Sequence, residues 1–174
     1  MVPTVALGSW HEFYGLLGTA SATLVGLLFV AASVGSGAFS SGRRAPLRVF
    51  LSASVVNFGL ILAASLIVLA PITSWQWLGG LIMVCGLFGL THCWLTWRDT
   101  LHDGLIASLD LEDRICYLAL PVVGYLCIVA SGVLLMAALA VGGAALAAAM
   151  GLLLGIGVHN AWDITLWIIT RRRE

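Results

Sequence analysis

Five apolar runs, each about 20 residues or longer, fill this chain, and every basic residue lies in alternate gaps between them. Arg43, Arg44 and Arg48 separate the first run from the second. Arg98 and Arg114 separate the third from the fourth, and Arg171, Arg172 and Arg173 follow the fifth. There is no lysine. A run of about 20 apolar residues is what a helix needs to cross a hydrocarbon core. Threading five such helices through a bilayer brings all eight arginines to one face and none to the other. Cytoplasmic loops carry the excess of Arg and Lys, so the expected orientation is N-terminus out and C-terminus in.

Composition allows little else. Only 9% of the 174 residues are charged and 61% are hydrophobic, where a soluble domain carries about 25% charged residues. A sizeable extramembrane enzyme is therefore excluded. A β-barrel is excluded as well, because its strands alternate polar and apolar residues with period two. The expected fold is an all-α membrane protein, a bundle of five transmembrane helices forming a single domain over residues 1–174. The helices are expected at about 10–37, 47–70, 75–97, 115–139 and 144–170. The first fifteen residues contain no Lys or Arg. A cleavable signal peptide needs a basic start, so the first run reads as a retained helix.

The tryptophans fit the same frame. Trp10, Trp75 and Trp77 mark one interface, and Trp94, Trp97, Trp162 and Trp167 the other. From Trp75 to Trp94 the helix rises about 29 Å, close to the thickness of a bilayer core. The connections between helices 2 and 3 and between helices 4 and 5 are short, so each pair forms an antiparallel hairpin. The one substantial inner loop, 98–114, is acidic, with five of the chain's eight carboxylates. Its leucines recur near helical spacing, which fits either an amphipathic segment along the inner surface or a solvated loop.

The first helix begins Trp10-His11-Glu12-Phe13, continues through a run rich in Gly, Ala, Ser and Thr, and reaches Gly26-Leu27-Leu28-Phe29-Val30-Ala31. It resembles the opening helix of a group of uncharacterised small bacterial integral-membrane proteins, W-H-E-F followed by small residues and G-L-x-F-V-A. The resemblance covers under a fifth of the chain. It implies a bacterial inner membrane and brings no activity or site residue with it.

Small and polar residues within the runs are the functional candidates. Gly18, Ala22 and Gly26 recur every four residues, the spacing that lets two helices approach closely. Gly151 and Gly155 repeat it in the last helix. A second stripe, with 4-3 spacing, contains Glu12, Thr19, Thr23, Gly26, Val30, Ser33 and Gly37, with Gly15 and Leu16 filling the gap after Glu12. It can line a pore with Glu12 at its mouth, since acidic rings select cations. It can equally be a packing face whose hydroxyls bond to the helix's own carbonyls. Deeper in, Asn57, His92, Thr96, His159 and Asp163 form an inner polar layer, with His159 one turn deeper than Asp163. His92 lies about 9 Å inward, Asp163 about 12 Å and Asn57 about 13 Å. Ionisable groups at such depth face the bundle or a cavity rather than lipid. This layer fits a proton relay, an ion site, a metal site using His92, His159 and Asp163, or a satisfied interhelical network.

No CxxCH, HExxH, phosphate-binding glycine loop or nucleophile-elbow motif is present, so no cofactor and no nucleic-acid partner are expected. The four cysteines form no CxxC pair and read as packing residues. The leading functional expectation is a small oligomeric channel or ion conductor with a polar site in its inner half. The competing expectation is a non-transport membrane partner that regulates another membrane protein. A membrane metal or redox protein built on the inner histidines ranks third.

Overall fold

The computed structural model describes residues 2–35, 44–102 and 119–171, and the side chains of 2–33, 53–98 and 119–162. The described residues are helical and contain no strand. A short α1, Pro3–Ala6, leads through a 3-10 turn, Gly8–Trp10, into α2, His11–Gly35. Then follow α3 Arg44–Leu69, α4 Trp75–His102, α5 Leu120–Met136 and α6 Val141–Arg171. The expected 98–114 loop is therefore helical at its start, in the last turn of α4, and from position 103 onward lies outside the described residues.

Helices α3, α4, α5 and α6 close a ring of packing contacts, with the most extensive between α4 and α5. Helix α2 stands outside that ring, packed chiefly on α3. The core is apolar and close: Phe58, Ile61, Ile82, Leu135, Leu146, Met150 and Leu153 are fully enclosed. Polar groups are buried beside them, among them Ser21, Ser54, Asn57, Ser65, Ser131 and Asn160. Large apolar side chains point outward instead, including Leu27, Phe29, Val84, Phe88, Leu126 and Val133. A surface of that kind is stable only against lipid or another protein. Three stretches, Gly8–Ser33, Trp75–Arg98 and Val141–Trp162, are long and apolar enough to cross a membrane. Ala53–Leu69 and Leu120–Met136 are shorter apolar helices among the described residues.

Backbone approach replaces the hydrophobic effect as the cement of such a bundle, because lipid tails are as apolar as leucine. The α4–α5 pair shows how. A Cβ at Gly86 would sit 2.7 Å from Val129 Cγ2, and one at Gly132 would sit 2.8 Å from the Gly79 carbonyl. Gly89 faces the ring of Tyr125 in the same antiparallel register. Prolines set two helix starts, Pro3 in α1 and Pro121 in α5, where a missing N–H costs nothing. The α5–α6 hairpin turns at Ala138, whose φ of 57° is left-handed. There the Leu139 N–H donates to Leu134 O and the Ala138 N–H to Leu135 O, closing the carbonyl end of α5.

Candidate functional site

Three helices of the ring meet at a buried polar junction. Asn57 of α3 is 5% exposed and Tyr125 of α5 is 2% exposed. The Tyr125 hydroxyl donates to Asn57 Oδ1 at 2.8 Å. Asn57 Nδ2 donates in turn to the backbone carbonyl of Leu153 on α6, at 2.9 Å. Gly157 makes the second bond reachable: a Cβ there would lie 2.5 Å from Phe58 Cε1 and 3.3 Å from Asn57 Nδ2. Absence of a side chain at 157 thus lets α3 bring its amide up to the α6 backbone.

Beside this junction is a cavity of about 30 Å³, lined in part by Asn57, His92, Thr96, Tyr125 and Asn160. A polar space of that size suits a single water, which needs about 10–15 Å³ and two to four polar partners. It is far too small for a hydrated ion passing through the protomer. His92 and Thr96 are half-buried on the α4 side, and Asn160 is buried on the α6 side.

The structure brings Asn57, His92 and Thr96 of the expected inner layer together. It places His159 on an exposed face of α6, with its neighbour Asn160 turned into the cavity. One residue along a helix rotates the side chain by about 100°, so equal depth does not mean a shared face. The side chain of Asp163 lies outside the described residues. Among the described residues no three His, Cys, Asp or Glu side chains are grouped as metal ligands. Tyr125, Asn160 and Gly157 are the members of the site that sequence reasoning missed.

A second polar system runs along α2. Tyr14, Leu17, Gly18 and Ser21 are buried, whereas Glu12, Leu16, Thr19, Thr23, Gly26, Val30 and Ser33 are all exposed. As far as Ser33 the 4-3 series therefore turns away from the protomer's own bundle, with Gly15 half-buried, while Gly37 lies outside the described residues. Its hydroxyls bond within the helix: Thr19 Oγ1 to Gly15 O at 2.9 Å, Thr23 Oγ1 to Thr19 O at 2.9 Å, and Ser33 Oγ to Phe29 O at 2.8 Å.

The expected small-residue contacts divide. A Cβ at Gly18 would sit 2.9 Å from Ser65 Cβ, so α2 and α3 meet closely there. Gly26 meets nothing within 4 Å and Ala22 is exposed. Gly151 and Gly155 also face open space, and the close approach on α6 occurs at Gly157 instead. Near the start of α2 the buried Tyr14 hydroxyl donates to Gly143 O at 2.6 Å, tying α2 to the first turn of α6.

No protein-family profile, no curated protein and no solved structure matches the chain.

Proposed function

We propose that the protein is a multi-pass protein of the bacterial inner membrane, crossing it five times with the start of α2 outside and the end of α6 inside. We propose further that it self-associates through α2 and conducts ions along the axis between protomers. One observation carries this reading: Glu12, Thr19, Thr23, Gly26, Val30 and Ser33 of the 4-3 series all face away from the bundle on a helix that stands outside the ring. A 3.5-residue repeat keeps one face turned toward a partner helix over its whole length. With copies of α2 around an axis, Glu12 forms an outer ring of carboxylates and Thr19, Thr23 and Ser33 line the path. The back-bonded hydroxyls still present oxygen lone pairs to a cation. The inner polar cavity, lined in part by His92, lies at the far end of the bundle.

A second reading has its own support. Because those hydroxyls already bond to their helix, the seam is equally suited to dry packing against another membrane protein that it regulates. Liposomes separate the two. The conducting assembly dissipates an ion gradient, Thr19→Cys cross-links between protomers, and Thr23→Trp blocks flux without lowering the melting temperature. In a cysteine-free background, an outside reagent labels Ser74→Cys and spares Leu105→Cys. Protein that is correctly oriented yet passes no ion at any pH leaves only the docking reading. The reverse labelling pattern overturns the orientation.

A further inference from the structure

The two hydrogen bonds of the polar junction run from α5 to α3 and from α3 to α6. Helix α4 takes part in neither, yet it walls the adjoining cavity with His92 and Thr96, alongside Asn57, Tyr125 and Asn160. The cavity measures about 30 Å³, and one water needs about 10–15 Å³. Its lining decides what can sit there. The Tyr125 O–H is committed to Asn57, so toward any further neighbour the phenol oxygen can only accept. The Asn57 amide carries two N–H donors, and the bond to Leu153 uses one of them. A neutral imidazole at position 92 adds one donor and one acceptor. The set is therefore mixed. A bare cation would meet the Asn57 N–H, and an anion would meet the Tyr125 lone pairs. A neutral molecule that donates and accepts at once matches both. Asn57 and Tyr125 are too deeply buried to turn to bulk water for these bonds, and polar groups left bare at membrane depth are costly.

We propose that this cavity is a binding site for one ordered water, and that the water joins α4 to the junction through His92. It accepts the second Asn57 N–H, donates to the Tyr125 oxygen, and completes its shell at the His92 imidazole. A bridging water is enthalpically nearly as good as a direct hydrogen bond, and a buried water makes about three such bonds. All four helices of the ring are then tied at one point: α5 to α3 and α3 to α6 directly, and α4 through the water. His92 is the positioning residue of the site, because the other two groups belong to the junction already. The inference goes beyond ion conduction and does not depend on it. A protein that passes no ion still holds this water.

The test is magic-angle-spinning NMR of the full-length protein in phospholipid bilayers, with polarisation passed from water protons to the side chains. In wild type the Asn57 amide and the Tyr125 ring should receive it at short mixing times. Ile82 and Met150, which are fully enclosed and apolar, should not. His92→Leu removes both ring nitrogens and should abolish the transfer to Tyr125, whereas His92→Gln keeps a donor and an acceptor and should preserve it. Infrared difference spectra between ordinary and oxygen-18 water give a second measurement. The O–H stretch of the internal water should be present in wild type and His92→Gln and lost in His92→Leu. If His92→Leu does not fold, the wild-type comparison still settles whether the water is bound, and a contact between its protons and the His92 ring nitrogens settles whether it reaches α4. Asn57 and Tyr125 as dark as Ile82 and Met150 would overturn the proposal. So would a transfer unchanged in His92→Leu. A melting temperature that rises when sodium replaces choline at equal ionic strength, with the rise lost in His92→Leu, would put a cation in the site and overturn it as well.

Discussion

Breaking the Tyr125–Asn57–Leu153 junction should cost stability in a non-additive way. Tyr125→Phe keeps the ring against Gly89 and removes only the hydroxyl, leaving Asn57 Oδ1 without its 2.8 Å donor. Loss of a buried partner costs about 1–3 kcal/mol in soluble proteins. Interhelical hydrogen bonds in membranes average about 0.6 and reach about 1.7 kcal/mol. With Tyr125 and Asn57 exposed by only 2% and 5%, bulk water does not reach the junction, and only a single water in the adjoining cavity can take the donor's place. We therefore expect about 1–1.5 kcal/mol for Tyr125→Phe. Asn57→Ala loses both bonds and enlarges the neighbouring cavity, and should cost about 2–3 kcal/mol. In that background the Tyr125 hydroxyl is itself buried without its acceptor. The double variant should then be no less stable than Asn57→Ala alone, which gives a coupling of about 1–1.5 kcal/mol. Reversible unfolding by SDS in mixed micelles, or steric trapping in bicelles, measures all four corners of the cycle. Additive costs, or a neutral Tyr125→Phe, would refute the junction as a unit that holds three helices together.

Two further substitutions address packing. Gly18→Leu, forced against Ser65, should lower protomer stability by about 1–3 kcal/mol, whereas Gly26→Leu, in open space, should leave it unchanged and instead weaken self-association. Melting temperature and single-particle mass in detergent distinguish the two, and a destabilised Gly26→Leu monomer would contradict the outward seam. At the α5–α6 turn, Ala138→Gly should raise stability by about 0.5–1 kcal/mol, since a left-handed φ of 57° strains alanine and not glycine; an unchanged unfolding midpoint would show that the turn relaxes freely.

What the sequence made legible, and what it did not, divides along the helix axis and around it. Position along the axis is written in run length. The expected start at Trp75 is where α4 begins, and the expected second helix, about 47–70, overlaps α3 at Arg44–Leu69. Depth counted from the arginines put Asn57 and His92 within about 4 Å of one another along the helix axes, and both border one cavity. Rotation about the axis is another matter. In a soluble helix the polar side marks the outside, but a helix apolar on every side carries no such mark. Hence His159 drew notice although Asn160 occupies the cavity. Glycine is silent in the same way, fitting a neighbour, a partner or lipid equally. Gly18 and Gly157 meet side chains while Gly26, Gly151 and Gly155 do not. Tyr125 passed as one more aromatic in an apolar run, yet its hydroxyl was a signal. In hydrocarbon a phenol O–H requires an acceptor, and Asn57 at matching depth was available.

The two polar systems of this protein differ in what holds them. The inner junction is tied by bonds between helices, so its geometry is fixed by the protomer alone. The α2 seam satisfies its hydroxyls within its own helix, so no hydrogen bond compels a partner to cover it. In the self-association proposed above, copies are drawn together by close backbone approach along Gly15, Ala22 and Gly26 and by the lipid released as the surfaces meet. Such association is governed by mass action within the plane of the membrane. It should strengthen with protein density in the bilayer and weaken as lipid or detergent dilutes the chains. The fold of each protomer, anchored by Tyr14 on Gly143 and by Asn57 on Leu153, should remain intact throughout. On that proposal assembly and folding are separable. The outward face of α2 can be altered residue by residue without disturbing the four-helix ring behind it.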